Sequence, residues 1–469
     1  AARTHGRGGT VGAAAGADEG RSVMQRLWHR LGLGSKPLIG WTLYDWANSA
    51  FYTIVVTAVY PVFFGRYAAA GAPEGAAAIR HANATTLALV VVAVLSPLLG
   101  VAADRLGAKK VLLALFTGLG VAATAAAALV GKGQWGFASA CFVVANIGIV
   151  GSLVFYDSLL PHLVSAPVAS EREKEMDRLS SAGYALGYLG GGLALLFALV
   201  AIAKPQAFGF ADTFAAMKAS FVFTAVWWAL FSLPLFRWVP EPARTGPKVP
   251  LAAVPMIAVR ELATTFKHLR LYRQAFLLLV AVAIYMDGVG TIVRMAATFA
   301  TDLNVPTNVV IATIVGVQFV GMPFALLFGA LGARIGAKRA LLLGLAVYVV
   351  ISVYAYFVTS ATGFVVLGML VATVQGGVQA LSRSLFASFV PPQRSSEFFG
   401  FFSVFEKFAG ILGPLVFAGV VAATHSSRAA IFGIVVFFIA GGALLMRVNV
   451  DEGRRAAQAA AAEAPPPQV

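Results

Sequence analysis

An acid and an amide, Asp45 and Asn48, stand one helical turn apart in LYDWANSAFY (Leu43 to Tyr52), at the start of a long apolar stretch. A carboxylate at the middle of a membrane helix costs roughly 2.5–3.5 kcal/mol even on lenient scales, so it marks a pathway more often than a wall. Comparable groups recur inside later apolar stretches: Asn146, Asp157, Asp287, Arg294, Gln375, Gln379, Arg383, Glu406 and Lys407. Burial raises a carboxylate's pKa and a neighbouring cation lowers it, so access and occupancy can set its protonation. Asp45, Asp287 and Glu406 are the candidates for proton carriage. Arg294 is the candidate cation for an anionic solute group, because a guanidinium binds a carboxylate through two parallel hydrogen bonds. Asp287 and Arg294 lie two turns apart on one helical face, too far for a direct pair within the helix, but both can face a common void. Glu406 and its neighbour Lys407 point about 100° apart on a helix, so partners on other helices, Asp45 among them, are expected. The chain has no His-Glu-x-x-His, no Gly-x-Ser-x-Gly and no phosphate-binding Gly-x-x-x-x-Gly-Lys-Ser/Thr, and His162 stands alone. An enzyme and an ATP-driven pump are therefore not expected, nor is a metal or other cofactor.

These groups need a frame, and the composition says which. Hydrophobic residues make up 59% of the chain, charged ones 12%, and mean hydropathy is +0.82. A soluble domain carries about 25% charge. Spanning helices need about 20 apolar residues each, and twelve such segments are expected near 41–65, 83–103, 110–130, 135–161, 180–203, 217–238, 274–300, 307–331, 339–359, 363–389, 397–423 and 429–447. The alternating pattern of barrel strands is absent. The net charge of +15 is explained by loop cations that orient the protein in the bilayer, with both termini cytoplasmic. Nucleic acid is not an expected partner; lipid and a small-molecule solute are. The single cysteine, Cys141, sits in an apolar span as packing.

The expected organisation is a disordered N-terminal segment (1–36), a six-helix half (37–238), a cytoplasmic linker with an amphipathic helix (239–273), a second six-helix half (274–449) and a disordered tail (450–469). The halves echo one another. Gly100-Val-Ala-Ala-Asp104-Arg105-Leu-Gly107-Ala-Lys109-Lys110 follows the second span, and Gly329-Ala-Leu-Gly-Ala333-Arg334-Ile-Gly336-Ala-Lys338-Arg339 follows the eighth. Parallel six-helix repeats about an axis along the membrane normal build one large group of secondary transporters. On the fifth span Gly183, Gly187 and Gly191 recur every fourth residue, a spacing that lets a neighbouring helix approach closely.

The turn motif resembles the loop between helices two and three of the major facilitator superfamily, although the second copy has Ala333 where the first has Asp104. LYDWANSAFY, YDSLLPHL (Tyr156 to Leu163) and QGGVQALSRSLFASFVPPQRSSEFFGFF (Gln375 to Phe402) further resemble the unknown-major-facilitator family, which includes the autophagy-related vacuolar amino-acid effluxers. The resemblance implies an all-α fold of twelve transmembrane helices. It also implies a latch at Asp104 and Arg105 against the opposite half, and a cavity lined by helices one, four, seven and ten. Asp45, Asn48, Asn146, Asp287, Arg294, Gln375 and Gln379 would then face the solute. Aligning Tyr156-Asp157-Ser158 with Ser382-Arg383-Ser384 sets Asp157 opposite Arg383 as a cytoplasmic gate. The implied activity is alternating-access transport of a small polar metabolite, an amino acid or related solute, with proton-coupled export, by a monomer in a bacterial plasma membrane. A transport-inactive sensor or lipid-handling protein on the same fold is the alternative, and polar groups serving only to bind helices together are the blander reading of the amides.

Overall fold

The computed structural model describes residues 33–73, 76–166, 168–243, 253, 256–260, 264, 272–409, 412–424 and 426–462. Eleven helices among them are long and apolar enough to cross a membrane. They are α1 (Lys36–Ala68), α2 (Ala76–Leu106), α3 (Lys109–Leu129), α4 (Trp135–Leu163), α5 (Ala169–Ala203), α6 (Thr213–Trp238), α7 (Arg273–Asp302), α8 (Thr307–Ile335), α9 (Ala337–Phe357), α10 (Ala361–Ala387) and α13 (Arg428–Arg447). The span expected at 397–423 is described as α11 (Ser395–Ala409) and α12 (Leu412–Thr424), with residues 410–411 between them outside the described residues. In lipid the backbone must satisfy its own hydrogen bonds, and helices do so within one segment. Among the described residues all regular secondary structure is helical.

The two halves repeat the same pairings. α1 packs on α5 and α6, α2 on α4, and α3 on α4 and α6; α7 packs on α11 and α13, α8 on α10, and α9 on α10 and α13. The halves meet along α5 with α8 and along α2 with α11. The tight turns predicted from the repeated motif are present, with Gly107 at φ 61° and Gly336 at φ 87°, a left-handed backbone that a side chain resists. The face carrying these two turns is called the turn face below.

Buried aromatic rings fill each half, among them Phe51, Tyr60, Phe63, Phe221 and Trp228 in the first and Tyr285, Tyr348 and Phe438 in the second. Helix α1 is π-helical over Phe51–Ala58 and Phe64–Ala68, an irregularity that tends to accompany functional sites.

The expectation for the C-terminal tail is corrected. Val450–Ala462 forms a helix, α14, started by Asn449, whose Oδ1 accepts the Glu452 N–H at 3.1 Å. Its Ala-rich composition suits a helix, and docking onto the turn face supplies what an isolated segment lacks. Most of the expected 1–36 segment, residues 463–469 and most of the linker lie outside the described residues. Within the linker Met256–Arg260 is helical.

Candidate functional site

Arg383 near the end of α10 decides the local architecture. Its guanidinium is buried and donates from Nη1 to Asp157 Oδ1 at 3.1 Å and from Nη2 to Asp45 Oδ2 at 3.1 Å. Nε donates to Ser180 Oγ at 2.9 Å, and Nη2 also reaches the Ser180 carbonyl at 3.0 Å. Each of these partners belongs to the first half, on α1, α4 and α5. The rings of Trp41 and Tyr184 lie 4.7 and 4.6 Å from the guanidinium carbon, and Trp41 stacks on Tyr156 at 4.5 Å. A planar cation with a fixed fork of donors suits such a site; an ammonium offers no comparable fork. Two carboxylates against one guanidinium leave one negative charge in excess when both acids are ionised.

The expected Asp157–Arg383 pair is therefore in contact, and Asp45 joins it. Asp45 meets Arg383, a partner that the spacing of Glu406 and Lys407 did not suggest. The glycine step on α5 makes this possible, because Gly183 leaves room for Asp45 Oδ2 and Gly187 for the Asp45 backbone and Ser49.

Above this cluster lies a cavity of about 670 Å³ between the halves. Asp45, Asn48, Asp157, Arg294, Gln375, Gln379, Arg383 and Glu406 all line it. It extends from the Arg383 layer toward the far ends of the helices, marked by Pro61 on α1, Phe299 on α7, Val310 on α8 and Phe364 on α10. Ser49, Tyr52, Thr53 and Thr57 add hydroxyls from α1, and Gln318 adds an amide from α8. These escaped the sequence reading because hydroxyl-bearing residues are ordinary in apolar helices.

Two expected cavity residues lie elsewhere. Asn146 is not among the lining residues; its Nδ2 donates to the Phe142 carbonyl of its own helix at 2.8 Å. Asp287 is buried, accepts the Gly413 N–H of α12 at 2.7 Å and is not among the residues that line the cavity. Arg294 nonetheless reaches Asp287 at 3.7 Å, which corrects the expectation that two turns are too far for a direct pair, and its side chain remains 44% exposed, open toward the cavity. The side chain of Lys407 lies outside the described residues.

Below the Arg383 layer the turn face is closed by further contacts. Asp104 accepts the N–H groups of Ser396 at 3.2 Å and Glu397 at 2.9 Å, which caps α11 across the half boundary. Lys109 holds that carboxylate at 2.8 Å and donates to Ser395 Oγ at 2.6 Å. Ser384 donates to Asp177 at 2.5 Å, and Ser180 Oγ donates to the Ala380 carbonyl at 2.7 Å. Arg105 sits half-buried at the end of α2. Asp177 and Lys109 were missed because both fall in charge-rich stretches that read as solvated helix ends.

The family profile described as "Vacuole effluxer Atg22 like" matches residues 81–458. The chain is a member of the Atg22-like family of MFS transporters. It is 36% identical over 410 residues to the uncharacterized MFS-type transporter YxiO of Bacillus subtilis, covering 86% of this chain and 93% of that protein. Autophagy-related protein 22 of Yarrowia lipolytica is 24% identical over 315 residues, covering 60% of this chain and about half of that protein, 52%. Among solved structures, the human organic anion transporter MFSD10 superposes with a TM-score of 0.65 at 14% identity, covering 89% of this chain and 99% of that one. FucP in the outward conformation gives 0.66 at 13% identity, covering 88% and 98%. These likenesses establish the fold. Membership of this family makes the chain a multi-pass integral membrane protein of the secondary-transporter type, a family of carriers and not of enzymes.

Proposed function

We propose that this chain is a secondary active transporter that carries a small polar metabolite, an amino acid or a related solute, across a bacterial plasma membrane. Its termini and turn face are cytoplasmic, and it works as a monomer by alternating access between the two six-helix halves. The observation that carries this reading is the shared cavity whose floor is a second-half arginine bound to first-half partners. Such a floor can part only if the halves rock apart, and rocking exchanges the side from which the cavity is reached.

In this reading Arg383, Asp157 and Asp45 form the inner gate, with Asp104 and Arg105 as a second closure beneath it. Protonation of Asp45 or Asp157 removes one of the two charges facing Arg383 and lowers the work of parting them, which couples proton movement to opening. Glu406, in the same cavity, is the further coupling candidate. Arg294, Asn48, Gln375 and Gln379 recognise the solute, Arg294 by its carboxylate. The Atg22-like membership supports export of amino-acid-like solutes, and the likeness to outward FucP supports a cavity reached from outside.

A thermal-shift screen of purified protein against amino acids, sugars, nucleosides and peptides identifies the solute class, because a ligand that binds only the folded state raises Tm. Counterflow in proteoliposomes preloaded with the hit then separates a carrier from a sensor. Transient accumulation of labelled solute supports transport, whereas binding without accumulation supports a transport-inactive protein on this fold.

A further inference from the structure

The helix after the last span is anchored unevenly. Among the described residues α14 and Asn449 at its start have four attachments on the second half. Gln274 Nε2 donates to Glu452 at 2.8 Å, and Gln274 Oε1 accepts the Asn449 N–H at 2.9 Å, so one side chain grips both sides of the helix start. Gly453 lies flat on the Phe389 ring, where a Cβ would come within 2.7 Å. Gln393 donates to the Ala461 carbonyl at 3.4 Å. Toward the first half, the described ion pair is Arg454 Nη2 to Glu173 Oε2 at 2.6 Å. Arg454 also keeps a loose contact of 3.9 Å with Asp451 of its own helix.

Glu173 stands one turn before Asp177 on α5, and Asp177 accepts from Ser384 of α10. The turn-face end of α5 thus offers two acids to the second half, one to α10 and one to α14. When the halves separate at this face, α14 travels with the second half, to which it is fixed at several points. The Arg454–Glu173 pair must then break.

We infer that α14 is a strap across the turn face, which Arg454 fastens to Glu173 and which holds the cavity closed on that side. The inference rests on the alternating-access reading and adds a regulatory element outside the cavity and its gate. The strap stabilises one conformation of the carrier and contributes nothing to solute recognition. Arg454 and Glu173 are about a fifth exposed, at 22% and 20%, so the pair is accessible to salt, unlike the buried Arg383 cluster. Screening shortens its reach within about 3 Å at 1 M ionic strength.

The test uses the full chain in lipid nanodiscs without solute, on a Cys141→Ala background. Spin labels at Arg237→Cys (α6) and Arg339→Cys (α9), one per half and both exposed on the turn face, report the distance between the halves. Arg454→Ala, Glu173→Ala and truncation after Val448 are each expected to raise the ratio of open to closed populations about fivefold, the equivalent of about 1 kcal/mol for a partly exposed pair. The double exchange Glu173→Arg with Arg454→Glu is expected to restore the original ratio, and raising salt to 1 M is expected to reproduce the Arg454→Ala distribution. Unchanged distances in the truncated protein overturn the inference. So does a lowered Tm with unchanged distances, which would make α14 packing alone, or an exchange that restores nothing. Failure of all solutes in counterflow would instead sink the transport reading, since the distance measurement needs no solute.

Discussion

One guanidinium carries the closure of this protein, and that makes its variants informative. Replacing Arg383 with Gln leaves Asp45 and Asp157 facing each other in a buried layer without their cation. Breaking a buried pair in this way costs about 3–5 kcal/mol. Arg383→Gln is therefore expected to abolish solute counterflow, with Arg383→Lys nearly as damaging because an ammonium cannot span Asp45, Asp157 and Ser180 together. Asp157→Asn should be milder, since Asp45 still holds Arg383; equal loss in both variants would argue against the three-membered cluster. A simple exchange of Asp157 and Arg383 is expected not to rescue transport. The aspartate it introduces at 383 would sit beside Asp45, so rescue would show that Asp45 is not in the cluster. At the far side of the cavity, Arg294→Ala is expected to remove the thermal stabilisation given by a carboxylate-bearing solute and spare that given by neutral ones. Asp157 and Arg383 were legible as partners because the two halves align. Asp287 was not, because its partner, the Gly413 N–H, lies on another helix that no spacing within α7 encodes.

Among the elements, α2 and α11 set how tightly the turn face closes. A Cβ at Gly100 would run into the Ser396 carbonyl, and one at Gly400 into the Ser96 carbonyl at 2.7 Å. Both obstacles are backbone, so neither can turn aside as a side chain would. Gly100→Leu is expected to wedge these helices apart and raise alkylation of a turn-face cysteine in the closed protein. Asp104→Ala removes the cap on α11, a loss of about 0.5–2 kcal/mol. It should shift the same readout in the same direction while leaving solute affinity in the open state unchanged. No change in alkylation for either variant would contradict the close α2–α11 contact. The repeated glycine turns and apolar lengths made eleven spans readable, although α5 starts at Ala169, eleven residues before the expected 180, because its first turns are charged. The helix α14 was not readable. Its sequence is Ala-rich, and its order depends on docking to Gln274, Phe389 and Glu173.

At the scale of the whole molecule, the cavity joins the two halves and the Arg383 layer divides it from the turn face. The charges expected to surround a common void do so for Asp45, Asp157, Arg294, Arg383 and Glu406. Asn146 and Asp287 instead serve their own helix and its neighbour. The most direct test is side-specific access to Gln379, one turn above Arg383 on the cavity wall. Gln379→Cys on a Cys141→Ala background would be reacted with a membrane-impermeant thiol reagent in sealed vesicles of either orientation. The account predicts fast labelling from the face opposite the turns and labelling at least about tenfold slower from the turn face, a ratio worth about 1.4 kcal/mol. Adding Arg383→Gln should erase that difference. Equal labelling from both faces with Arg383 present, or unchanged protection once it is replaced, would contradict the gate.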